Sequence, residues 1–189
     1  MKRKVYILLT DTGTLFTKMI KLYTRKPLNH ASIALDAELQ EVYSFGRKKQ
    51  KNPFIGGFIK EDTRGGLFEK AKCAIYCCTI TEKQYEAINC IIQEMNQHKQ
   101  LYRYNLLGLL AIMLNLEIER KNAYFCSQFV ATLLEESGVE LRQDKPISLV
   151  TPNDLQESPN LELVYEGSLS SYLGKKKPIY SGRLQETAV

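Results

Sequence analysis

The chain has 189 residues, 44% of them hydrophobic and 25% charged, with a net charge of +5. It is long enough for one globular domain with a substantial core, and its mild basic excess suits contact with anions without marking a dedicated nucleic-acid protein. The apolar run from Val5 to Leu9 is too short for the hydrophobic region of a signal peptide, and the longest uncharged apolar stretch, Tyr104 to Leu116, falls short of the ~20 residues of a membrane span. The chain is therefore expected to be soluble and cytoplasmic, with its thiols reduced.

Val5 to Thr10 reads as a buried strand, stopped by Asp11-Thr12-Gly13. Leu15, Phe16, Met19, Ile20 and Leu22 predict a helix over 14–23, ended by Pro27. Strands are expected from His30 to Leu35 and from Gln40 to Phe45, joined as a hairpin by a turn at Asp36 to Leu39. Residues 46–69 are rich in glycine and charge without a period, and are expected to be irregular. Within them PFIGGF, Pro53 to Phe58, is a candidate to line or cover a cleft. A strand is expected from Lys72 to Ile80. Thr81-x-x-Gln84 then forms a capping box heading a helix whose buried face is Tyr85, Ile88, Ile91, Ile92 and Met95.

Leu106 to Leu116 is apolar nearly all round, as in a helix surrounded by protein. The next helix lies in NAYFCSQFVATLLEESG, with Tyr124 and Phe125 fixing its start and Gly138 closing it. TPNDL resembles a short helical start after Thr151-Pro152, and Leu161 to Tyr165 a strand. The expected organisation is a single α+β domain over 1–173, followed by a polar, poorly ordered tail over 174–189.

Five cysteines, an odd number, argue against a disulfide framework. Cys73, Cys77, Cys78 and Cys90 lack paired C-x-x-C spacing and only two histidines exist, so no metal site or cofactor is expected. Cys73 and Cys77 fall on one side of their strand and Cys78 on the other, as packing residues, and Cys90 is assigned to a helix core. Cys126 differs. With Phe129, Val130, Leu133 and Leu134 it begins an i, i+3, i+4, i+7, i+8 stripe, at the N-terminal edge of the helix. Free backbone N–H groups and the helix dipole favour an anion there, which lowers a thiol's pKa. A base is also needed. His98 sits in the polar end of a helix and reads as a surface residue, whereas His30 opens a strand after Pro27-Leu28-Asn29, where its imidazole can face a helix start.

NHASIALD followed by YFCSQFVATLLEESG resembles the circularly permuted branch of the NlpC-type papain-fold cysteine hydrolases. That branch includes the YiiX-like proteins and, more distantly, the lecithin–retinol acyltransferase group. The resemblance covers most of residues 4–155, with the histidine strand before the cysteine helix. It implies a papain-like fold, an antiparallel sheet packed on helices, and a Cys126–His30 dyad that hydrolyses an amide or ester through an acyl-enzyme. It also implies a third polar residue orienting the imidazole, which by position in the hairpin is Ser44; the family usually carries histidine, glutamate or an amide there. Glu41 lies at odd spacing from Ser44, on the opposite strand face.

The implied partners are a peptide or a small acyl substrate, with no nucleic acid. The basic residues Arg47, Lys48, Lys49 and Lys51, and Lys175 to Lys177, leave weak contact with an anionic membrane surface open. The competing reading is a binding module that keeps the cleft without turnover, which serine at position 44 favours. Electrostatic nucleic-acid binding ranks last.

Overall fold

The computed structural model describes residues 1–11, 26–49, 52–108, 116–117, 120–141 and 145–175. The chain is α+β. Six strands form one antiparallel sheet: β1 (Lys2–Asp11), β2 (His30–Ala34), β3 (Val42–Lys49), β4 (Asn52–Lys60), β5 (Lys72–Thr81) and, after two short strands, β8 (Glu162–Ser168). Their spatial order is β4-β3-β2-β1-β5-β8. The apolar, β-rich run of β1 lies at the centre, pairing with β5 from Lys2↔Thr81 to Asp11↔Lys72 and with β2 from Tyr6↔Ala34 to Thr10↔His30. The short strands β6 (Arg103–Tyr104) and β7 (Ala123–Tyr124) pair in parallel.

Side-chain alternation sends the apolar residues of the central strands to both faces, and both faces are covered there. On one face Val5, Ile7, Leu9, Ile33, Phe45, Phe58 and Tyr76 cluster with two helices, α1 (Glu82–Gln97) and α2 (Cys126–Glu136). On the other, Leu8, Ala34, Val42 and Ile75 meet Phe68 of the 3-10 turn Gly66–Phe68. The same cluster includes Leu169, Tyr172 and Leu173 of the helix α4 (Leu169–Lys175), which follows the short α3 (Pro152–Gln156). Each large apolar side chain so buried contributes about 1.5–3 kcal/mol relative to exposure.

Local chemistry sets the helix ends. Thr81 caps α1 as a capping box, its hydroxyl accepting from the Gln84 N–H at 3.2 Å while Gln84 Oε1 accepts from the Thr81 N–H at 2.9 Å. Ile88, Ile92 and Met95 are buried, with Tyr85 and Ile91 packed beside them. Cys90 is exposed rather than in the core, because two residues from both Ile88 and Ile92 is the far side of that helix. His98 is exposed at the C-cap of α1. Thr151 caps α3, with Pro152 in its first turn. Gly138, at φ +75°, turns the chain out of α2.

The irregular stretch expected over 46–69 is largely a hairpin. β3 continues to Lys49, and β4 pairs with it from Tyr43↔Lys60 to Lys49↔Asn52. Glycines and a proline gave this strand the look of a loop, but each has a place in it. Pro53 sits in an edge strand, which tolerates a missing donor. A Cβ on Gly56 would stand 2.7 Å from the Gly46 carbonyl oxygen and 2.7 Å from Tyr104 Cβ, so glycine is required where β6 crosses close to β4. Phe58 is a core residue that also lines, with Ile59 and Lys60, a cavity of about 510 Å³.

The helix expected over 14–23 lies outside the described residues, as do residues 109–115 of the Leu106 to Leu116 segment. Leu107 and Leu116 are each just over half exposed, so the ends of that segment face outward rather than into protein. Gly174 and Lys175, the start of the expected tail, are the last residues of α4, and the rest of the tail lies outside the described residues. Among the described residues no helix is long and apolar enough to cross a membrane.

Candidate active site

Cys126 is the first residue of α2, preceded by Phe125 in extended conformation (φ −98°, ψ 171°). The helix is seated by its buried stripe. Phe129 stacks at a tilt on Phe45, 5.1 Å between ring centroids, and meets Phe58 edge-on at 5.8 Å. Two polar contacts fix its first turn: Ser127 Oγ donates to the Val150 carbonyl at 2.8 Å, and Gln128 Oε1 accepts from the Phe125 N–H at 3.4 Å.

His30 is the first residue of β2. The preceding Asn29 anchors it, its N–H donating to the Thr10 carbonyl at 3.1 Å and its side-chain amide to the carbonyls of Lys26 and Pro27. Alternation along β2 places Ala31 and Ile33 against the helices, and His30 and Ser32 on the other face. Cys126 belongs to the helix face, yet its thiol and the imidazole of His30 act on each other's protonation. An opening in the sheet accounts for this. The β2–β3 ladder covers only Ile33↔Tyr43 and Ala34↔Val42, so the first residues of β2 lie beyond it. Cys126 occupies this place, and its sulfur accepts from the backbone N–H groups of Ala31 and Ser127.

The imidazole is held from its other side by a residue that the sequence did not suggest. Its Nε2 lies 2.9 Å from Glu61 Oε1 and 3.3 Å from Ser32 Oγ, leaving Nδ1 for the thiol. Ser44, expected to orient His30 directly, instead donates to Glu61 Oε1 at 2.5 Å. Glu61 follows β4 directly, its N–H donating to the Val42 carbonyl. It was hidden because β4 was not legible as a strand; the one available signal was the apolar pair Phe58-Ile59 leading into Lys60-Glu61. Glu41 lies apart, bonded to Lys60 and Tyr43.

Burial alone pushes the His30 imidazolium to lose its proton, but hydrogen bonds and charge from Cys126 and Glu61 outweigh it and raise the pKa from 6.5 to about 10. Burial likewise opposes ionisation of Cys126; the His30 hydrogen bond and charge, with the Ala31 and Ser127 N–H groups, lower its pKa below the ordinary 9.0. Both shifts favour the thiolate–imidazolium form of the pair. Cys78 shows the contrast: buried without such partners, and beside Cys77, its thiol is pushed up to about 11.

Cys126 is only 4% exposed, and access to it is narrow. A cavity of about 750 Å³ between Cys78–Ile80 and Gly138–Glu140, and one of about 510 Å³ beside Phe58–Lys60, are lined by neither Cys126 nor His30. Among the described residues no group of three or more His, Cys, Asp or Glu side chains stands ready to hold a metal ion. No family model, curated protein or solved structure matches the chain.

Proposed function

We propose that this protein is a thiol hydrolase or acyltransferase in which Cys126 is the nucleophile, His30 the proton carrier and Glu61 the group that orients His30. The observation that carries the reading is a single imidazole set between a thiol at a helix N-terminus and a largely enclosed carboxylate. The Cys126 thiolate attacks an amide or ester carbonyl. The oxyanion is held by N–H groups of the first turn of α2, that of Cys126 and that of Ser127, which turns from the sulfur as the thiolate's charge passes to the oxygen. His30 gives its proton to the departing amine or alcohol as the carbon–nitrogen or carbon–oxygen bond breaks, leaving a thioester. Neutral His30 then takes a proton from water or another acceptor, whose oxygen displaces the thiolate.

Glu61 bears on the competing reading of a module without turnover. That reading leaned on serine at position 44, and Glu61 supplies the carboxylate a serine lacks. The permuted papain-like architecture implied by the sequence fits an α+β chain with the histidine strand before the cysteine helix. A thiol-directed acyl probe tests the proposal: it should label the protein at Cys126, and Cys126→Ala should fold normally and lose that label. Equal labelling of variant and parent would overturn the assignment.

A further inference from the structure

Glu61 Oε1 accepts two hydrogen bonds at once, from His30 Nε2 at 2.9 Å and from Ser44 Oγ at 2.5 Å. Ser44 is fully buried, and a serine hydroxyl has one proton to give, here directed at the carboxylate. The neighbouring residue on the same strand face is Gly46. A Cβ there would lie 2.9 Å from Ile59 Cδ1, 3.4 Å from Ser44 Oγ and 3.7 Å from Glu61 Oε1, which places Gly46 directly beside the serine–glutamate contact.

We propose that Ser44 is a positioning residue that acts through Glu61, pinning Oε1 toward His30 and stabilising its negative charge so that the imidazolium and the thiolate beyond it persist. This rests on the thiol-hydrolase reading above. A hydroxyl donor to a charged acceptor is among the stronger neutral contributions available in a buried site. The charges acting on the ring are those of Cys126 from α2 and Glu61 from the end of β4. Among the described residues, the other side chains placed beside it are uncharged: Ser32 on β2, Thr10 directly across on β1, and Phe68 at 6.4 Å between centroids. Ser44 reaches the ring through Glu61, the acceptor of its hydroxyl proton.

The test is the ultraviolet titration of the Cys126 thiolate, made in a Cys90→Ser background to remove the exposed thiol and with the Cys126→Ser spectrum subtracted. Ser44→Ala should raise the midpoint by about one pH unit, a tenfold fall in the thiolate-to-thiol ratio. Ser44→Thr, which keeps the hydroxyl, should restore it, and on a Glu61→Gln background Ser44→Ala should add nothing. If Ser44→Ala fails to fold, Ser44→Gly carries the same expectation. A parental midpoint in the hydroxyl-less variants, or an equal shift with and without Glu61, overturns this inference alone. A parent protein that titrates near the ordinary 9.0 overturns the thiol-hydrolase reading with it.

Discussion

Half-buried at the start of β2, His30 has its proton affinity raised by Glu61, 2.9 Å from Nε2, and by Cys126. The consequence for stability follows from proton counting. In its thiolate–imidazolium form the folded Cys126–His30 pair carries one proton, on the ring. Unfolded, with ordinary values of 6.5 and 9.0, it carries two protons below pH 6.5, one between those values and none above. The His30 contribution is complete below pH 6.5 and is lost as pH rises through about 10; the Cys126 contribution is complete above 9.0 and is lost as pH falls through its lowered pKa. Their sum should rise up to pH 6.5, stay level to 9.0, then decline. Urea unfolding of the parent and of a His30→Ala, Cys126→Ala double variant across this range checks it; a steady slope between the two values would contradict the ion pair. At this scale the sequence was informative about Cys126, because a cysteine opening an apolar helical stripe is visible in one dimension. It was silent about Glu61, whose nearness to His30 depends on two strand pairings.

The elements differ in how far local chemistry defines them. β1, β5 and α1 were legible because their apolar periods and the Thr81 capping box act within a few residues. β4 was not, because its glycines answer to a neighbour far along the chain. Gly56→Ala should cost about 1–3 kcal/mol, since the added methyl meets backbone and the stem of Tyr104 rather than a movable side-chain tip. Thermal unfolding measures it, and an unchanged midpoint would show that β6 can move away. The first turn of α2 depends in a similar way on the Ser127–Val150 bond. Ser127→Ala should destabilise by about 1–3 kcal/mol, because the buried carbonyl loses its donor. It should also slow acylation of Cys126 by loosening the turn that carries the sulfur. Unchanged stability and labelling would dismiss that contact as incidental.

The central strands of the sheet are buried on both sides, and the two sides are closed by distant parts of the chain. Helices α1 and α2 cover one; α4, near the end of the described residues, covers the other. Truncation after Ser168 would strip Leu169, Tyr172 and Leu173 from Leu8, Val42 and Ile75. At about 1.5–3 kcal/mol for each large side chain, the loss approaches the ~5–15 kcal/mol that holds a domain folded. The truncated chain should lose cooperative unfolding, and a sharp transition at the parental midpoint would refute that. The α+β class was readable from the sequence, whereas the gap between β2 and β3 that lets a thiol from one face meet an imidazole from the other was not. That meeting is the centre of the account, and the pH dependence of Cys126 acylation by an electrophilic probe tests it most directly. The rate should already be high and nearly level through neutral pH, and should fall sharply in His30→Ala. A parental rate that climbs only as pH approaches 9.0, unchanged by removing the imidazole, would contradict it.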